Sequence, residues 1–464
     1  MFLFLEGWPA LLLALLAGGF LLLRGAKWAL GDKLLRDRPI RWEPDPREER
    51  RAAHDRKRHA SYPNPVSNTW YMLCDSDELA VGRAGGKGKV LEVRALGHTF
   101  ALWRDPASGK PVVHEAFCPH LGANLAVGGV VNGAGKLVCP FHAWEFNADG
   151  SVHDVPYLKG DAAERARCLG GKGAGRGLTM YPAEDFMGVV MVWFHADGAP
   201  PEFPLPRFIE EELAGRAPSS AAGKDGAPAH VSHSWTPHLR WDLGHLRLHP
   251  TDWVDQAGDH AHFHTLHSRI VIPWTTVELP PWFCRLFPLS ICHELRTYRG
   301  SDAAWAEKAA RDLGPAAAAA AADGRYIFFT DVAGLAWRGK PLASTLSETL
   351  EMYVGPALMI FHIPFTLGAF KVLVSTTPAE QGSVMRVRTF CNSGNPLVRA
   401  LAWLLAGLSG SQLASDIAIM ENKIRLAKPQ IKPFDGPYMR TNAWLKQFYS
   451  EGSAKTADRY CLDW

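Results

Sequence analysis

Cys118 and His120 lie in the run CPHLGANLAVGG, and Cys139 and His142 lie in CPFHAWEF. Each pair puts one thiolate and one imidazole on a short loop. Two cysteines and two histidines suit two kinds of centre. One is a [2Fe–2S] cluster in which the cysteines hold one iron and the histidines the other. The other is a structural Cys₂His₂ zinc site. The surroundings favour the cluster. Glycines in the first loop let backbone amides turn toward sulfur, and the second loop continues into Asn147, Asp149 and Gly150. The remaining cysteines (Cys74, Cys168, Cys284, Cys292, Cys391 and Cys461) read as buried or inert thiols.

A second constellation, DQAGDHAHFHTLH, carries Asp255, Asp259, His260, His262, His264 and His267. Spacing alone does not choose the ligands among them. His260 and His264 would share one face of a regular helix. His262 and His267, five apart, would point about 140° away from each other on such a helix. They could share a metal only across a helix end or a π-type distortion. A solvated, His-rich surface is the plain alternative.

The rest of the chain must position these groups. It has 464 residues, 47% of them apolar and 21% charged, which excludes a largely disordered protein. A formal net charge of +3 argues against nucleic acid as a partner. Eight cysteines do not make a disulfide scaffold at this length, whereas 17 Trp and 19 His point to redox or metal chemistry. Residues 7–23 (GWPALLLALLAGGFLLL) are uncharged and are followed by Arg24, Lys27, Lys33 and Arg36. No basic region precedes them and no small-residue cleavage pattern follows. The expectation is therefore a single N-terminal membrane anchor, within residues 1–30, with the remainder cytosolic. A charged linker follows over 31–66. A domain of short β runs occupies 67–206, and a second domain covers 207–464, with surface insertions near 214–229 and 301–324. Strands are expected at RYIFFTDV, TLEMYVGPALMIFHI and FKVLVSTTP, and a helical pattern around Asp416–Leu426. The Gly-rich stretch 170–177 lacks dinucleotide-binding spacing, so NAD(P)H is expected to bind a different protein.

With both constellations in place, the sequence resembles the Rieske non-haem iron oxygenases. Within them it is similar to the membrane-bound cholesterol 7-desaturases of the Neverland type, and next to the bacterial 3-ketosteroid 9α-hydroxylases. The resemblance spans roughly residues 62–452. It is carried by Asn68-Thr-Trp70-Tyr71 leading to SDEL, by CPHLGANLAVGG and DHAHFHTLH, and by YVGPALMIF and WLKQFYSEG. It implies an α+β fold: an antiparallel β Rieske domain, then a helix-grip-like catalytic domain with a curved antiparallel sheet. It implies that Cys118, His120, Cys139 and His142 bind the cluster. Asp255, Asp259, His262 and His267 then match the family's acid–Asp–His–His pattern. His262 and His267, with Asp416 from SDIAIMENKI, would hold a mononuclear Fe(II) with open positions for O₂.

Alone, Asp416 would read as a helix N-cap; Glu421 is the alternative acid. Met420 stands where the family usually has Trp, and Ala143 where it usually has Gly. Asp259 takes the place of the catalytic residue that bridges the two centres. His260 and His264 become supporting or surface residues. The resemblance further implies a homotrimer, a sterol substrate, a membrane location (the endoplasmic reticulum in a eukaryote), and electrons from NAD(P)H through a separate reductase or ferredoxin. A hydroxylase would use the same ligands. A Rieske electron carrier would need only the first ~200 residues, so the second metal motif argues against it.

Overall fold

A computed structural model describes residues 62–79, 88–158, 162–163, 169, 177–213, 238–365, 368–379, 382–391 and 395–453. The expected anchor, the linker as far as residue 61 and the insertion at 214–229 lie outside the described residues. The fold is mixed, with every paired strand antiparallel.

Three small sheets make the first domain. The runs expected to be extended form strands Leu91–Ala95, His98–Arg104 and Pro111–Glu115, joined by Met180–Tyr181. A second sheet of very short strands, Val130–Val131, Leu137–Val138, Glu145–Phe146 and Val152–Asp154, bears the second Cys/His loop between its middle two strands. The third sheet orders Thr69–Asp75, Val189–Phe194 and Ala183–Phe186. Thr69–Asp75 is buried along its whole length, as a strand covered on both faces must be.

A nine-stranded sheet organises the second domain. Its path runs Leu239–Leu246, Gly382–Cys391, Gly368–Ala379, Leu358–Phe365, Ser347–Val354, Tyr326–Trp337 and Leu289–Cys292. The apolar run at 349–363 is broken into a hairpin at Gly355, whose φ is +60°. A Cβ there would also collide with Thr69 Oγ1, so only glycine lets this turn reach the first domain.

Two elements differ from expectation. Residues 301–324 are not merely a surface insertion. They form helices Ala303–Asp312 and Pro315–Ala321, and Trp305, 1% exposed, stacks on Phe328 with ring centroids 3.8 Å apart. The alanine run is a strong helix former, and its buried Ala321 joins the main core. The C-terminal helix begins twenty residues earlier than the motif at Asp416 suggested, running Pro396–Met420 with Asn395 as its N-cap. By length and apolarity this helix could cross a bilayer. Its small face (Ala402, Ala406, Gly407, Gly410) is buried instead, and a Cβ at Gly407 would strike the indole of Trp274. That close approach makes it a core helix.

Arg388 locks the two domains together. It is 2% exposed, and its Nε and Nη2 donate to Asp75 Oδ1 and Oδ2 at 2.7 and 2.8 Å, while Nη1 donates to Asp242 at 2.8 Å. Removing one partner of a buried pair leaves the other charge uncompensated. Asp75→Ala is expected to destabilise the protein by about 3 kcal/mol, the low end for such a loss because Asp242 remains. Chemical unfolding followed by circular dichroism checks this; a change under about 0.5 kcal/mol, the range of ordinary surface substitutions, would contradict it.

Candidate metal centres and active site

The two Cys/His loops close in the same way. Cys118 N–H donates to Ala123 O (2.8 Å) and Gly122 N–H to Cys118 O (2.9 Å). Cys139 N–H donates to Trp144 O (2.8 Å) and Ala143 N–H to Cys139 O (3.1 Å). Each loop therefore needs a left-handed residue four positions after its cysteine. Gly122 has φ +75° and Ala143 φ +57°. Both thiols are buried at 3% exposure, while His120 and His142 are half-buried with ring centroids 4.8 Å apart. His120 stacks on Trp144, whose Nε1 donates to Tyr157 Oη at 2.8 Å. Burial, reinforced by the neighbouring Cys139 thiol, pushes the Cys118 thiol up to about 11, so bound positive charge is needed to ionise it near neutral pH.

A single tetrahedral zinc needs its donors within about 4 Å of one another. Among the described residues, only His262, His267 and Asp416 bring three such donor atoms within 4.8 Å. Two cysteines and two histidines on paired loops are the ligand set of a cluster in which the thiolates hold one iron and the imidazoles the other.

The second constellation is not one helix. Pro250–Asp255 is helical, residues 256–258 form a 3-10 turn, Asp259 is extended, and a short helix spans Ala261–Thr265. His262 sits inside that helix and His267 beyond its end, which lets residues five apart face one another, with ring centroids at 5.2 Å. Asp416 arrives from the last turn but one of Pro396–Met420, with Oδ1 3.1 Å from His267 Nε2. It is no N-cap. A carboxylate near a helix C-terminus faces the unfavourable end of the helix dipole. Glu421, the alternative acid, accepts from the backbone N–H of Arg247 at 2.9 Å.

The donors fit a metal ion. His262 Nε2 is buried and makes no hydrogen bond, and Asp416 Oδ1 meets only His267 Nε2, itself a candidate ligand atom. Such groups are costly unless a ligand satisfies them. His262 Nδ1 donates to the backbone carbonyl of Asp259 at 2.6 Å, which orients the ring and leaves Nε2 for the metal. Burial holds His262 below the usual histidine range, in the neutral form a metal requires. The Asp259 carboxylate lies 3.7 Å from His262 Nδ1 and stays 44% exposed, so the main chain rather than this side chain holds the imidazole. His260 Nε2 pairs with Thr297 Oγ1 at 2.7 Å and His264 faces solvent. Asp255 accepts from Arg425 (2.5 Å) and Tyr438 (3.1 Å).

A cavity of ≈340 Å³ opens onto these donors, between Pro396–Met420 and the sheet. Trp241, Phe329, Met359, Val374 and Leu413 give it apolar walls. Three polar groups in it escaped the sequence reading. His293 Nδ1 bonds Asp331 Oδ2 at 2.6 Å, and its Nε2 lies 3.4 Å from the carbonyl of His267, so the pair braces that turn. Glu351 is 3% exposed with Oε2 unpaired. Burial, then Asp331 and Asp416, raises its carboxyl well above the usual range. The available signal was a carboxylate inside an apolar strand run, FFTDV and TLEMYV, where only a binding or buried role tolerates one.

A cluster-binding β domain beside a two-histidine, one-carboxylate cavity defines a non-haem iron oxidoreductase with two redox centres. Residues 69–170 match the Rieske [2Fe–2S] domain, and residues 192–449 match the 3-ketosteroid 9α-hydroxylase C-terminal domain. The chain belongs to this family of Rieske oxygenases. Relatives include cholesterol 7-desaturase nvd 1 of Ciona intestinalis, 28% identical over 85% of this chain and 71% of the relative. The cholesterol 7-desaturase of Caenorhabditis elegans is 24% identical over 86% and 80%. The oxygenase component of 3-ketosteroid-9-alpha-monooxygenase from Rhodococcus rhodochrous is 26% identical over 80% and 82%. The resemblance read from the motifs is thus borne out.

Two outcomes follow from the site. No neighbour crowds the position of a Cβ at Gly122, so Gly122→Ala tests backbone strain alone. It should cost about 1 kcal/mol, and Ala143→Gly should gain a similar amount or slightly less, read from loss of cluster absorbance during unfolding. No loss at Gly122→Ala, or a loss rather than a gain at Ala143→Gly, would refute the shared loop geometry. For the second centre, Asp416→Ala should lower iron from about three to about two per chain with the cluster spectrum intact. Unchanged iron content would mean another acid is the ligand.

Proposed function

We propose that this enzyme is an O₂-dependent sterol desaturase that introduces the C7–C8 double bond into cholesterol or a related sterol. The observation that carries the reading is the apolar cavity ending on the His262, His267 and Asp416 donors, in a chain similar to cholesterol 7-desaturases over most of its length. Iron held there supplies O₂ activation. The overall change balances as substrate plus O₂, two electrons and two protons, giving the alkene and two waters.

The chain's own residues position and exclude. The walls at Trp241, Phe329 and Leu413 would desolvate a flat apolar ligand, and Phe263 packs against both His262 and His267. His293 and Asp331 hold the turn that carries His267. Cys118, His120, Cys139 and His142 would hold a cluster able to accept electrons from NAD(P)H through a separate reductase.

In a trimer, Asp259 would lie between the residues that hold the cluster of one subunit and the iron of the next. Its half-exposed carboxylate lines a cleft of ≈460 Å³ together with His262, Arg425 and Leu426. Exposed apolar side chains on the two ligand loops, Leu121, Val127 and Phe141, and at the cleft, Leu426, would suit such a contact. Residues 7–23 would anchor the enzyme in a membrane, the endoplasmic reticulum in a eukaryote.

A steroid hydroxylase is the second reading, favoured by the family of the C-terminal domain. It would use the same ligands and insert one oxygen. Incubating the full-length enzyme and a reductase with isotopically labelled cholesterol separates the two by mass spectrometry. A product lighter by two hydrogens supports desaturation; one heavier by an oxygen supports hydroxylation; no turnover of any sterol overturns both.

A further inference from the structure

The helix Pro281–Leu286 and the turn after it expose an unusual set of side chains. Trp282 is 63% exposed, Leu286 68% and Phe287 50%. Phe287 stacks against Phe283 at 4.9 Å, and its carbonyl accepts from Leu289 N–H at 2.7 Å. Leu289 pairs in the sheet with Trp337, which is 41% exposed. Just beyond that strand, Leu342 and Leu346 are 38% and 39% exposed. These residues form one surface, stitched by the 289–292 and 326–337 strands. A contiguous apolar patch of this kind marks an interaction site.

The same surface borders the active-site cavity. Leu342 N–H donates to Leu335 O at 2.8 Å, and Leu346 packs onto Gly334. Gly334, Leu335, Thr345 and Ile291 line the cavity and are themselves half-buried. The charge pattern is one-sided. Segments 281–292 and 333–346 contain Arg285, Arg338 and Lys340 and no acid, and all three cations are exposed. Two like-charged copies of the patch would repel each other, whereas anionic headgroups would attract it. Indole and phenyl side chains beside arginine and lysine suit the headgroup–acyl boundary of a bilayer.

We propose that this face docks into the surface of an anionic phospholipid bilayer, so that an apolar substrate passes from the lipid into the cavity without crossing water. The route rests on the apolar-substrate reading above; the docking itself does not. It adds a second membrane contact, built from the folded domain and separate from residues 7–23.

Hydrogen–deuterium exchange on the full chain tests the docking without any substrate. Vesicles of phosphatidylcholine with phosphatidylserine should slow exchange at 281–289 and 337–346 by about fivefold or more, and vesicles of phosphatidylcholine alone should slow it less. Unchanged exchange overturns the proposal. Protection that grows with protein concentration without lipid assigns the patch to a second copy. Protection present without lipid at every concentration assigns it to another segment of this chain. Either result overturns it too. The triple variant Trp282→Ser, Leu286→Ser, Phe287→Ser, with its cluster spectrum retained, gives a second readout. Turnover of vesicle-borne substrate should fall by about fivefold, while turnover from a cyclodextrin carrier should not change. An equal fall in both overturns the route.

Discussion

Three buried side chains whose donor atoms face one another set the terms for the catalytic domain. His262 Nε2 and Asp416 Oδ1 would each be costly to bury alone. Their cost is tolerable only if a cation binds them together, and they lie within reach of one. Iron binding is therefore coupled to the docking of Pro396–Met420 against the short helix Ala261–Thr265, because neither element holds a complete set. The dipole of the long helix sharpens the point, since its C-terminal turns disfavour the very carboxylate they carry.

Everything around that centre serves rigidity or exclusion. Small residues let the long helix approach Trp274 closely, and the Trp274 N–H donates to Gly407 O at 3.1 Å. His293 and Asp331 brace the turn of His267 from the opposite wall. Tyr353 ties the sheet to the helix Pro250–Asp255 through Trp253 O at 2.9 Å. Burial raises the carboxyl of Glu351, the deep acid outside the metal set and the His293 pair, well above its usual range, which opposes a further charge in the cavity.

The cluster domain solves a different problem. Cys118 and Cys139 are seated in the domain's apolar cluster, while its ligand loops are closed by their own backbone hydrogen bonds. That is why a left-handed residue recurs four positions after each cysteine, and why alanine is tolerated at one of them with some strain. The domain's orientation relative to the second domain comes instead from buried Asp75 and Arg388, and from a glycine turn fitted against Thr69.

The sequence by itself determined the chemistry. Cys118, His120, Cys139 and His142 are readable because both ligand pairs are local, and most of the strands because alternation and β-branched runs are local too. It also held the membership of His262 and His267, but only through resemblance, since a regular helix would have pointed them apart. The break at Asp259 and the helix end at Thr265 bring them together, and both are decided by tertiary packing. Asp416 lies 149 positions from His267, and no local pattern states that distance in space. His293, Asp331 and Glu351 were invisible for the same reason: a polar residue in an apolar strand signals only that something faces it. What faces it depends on the register of the sheet and on where one long helix lies, and those follow from burying the whole core at once.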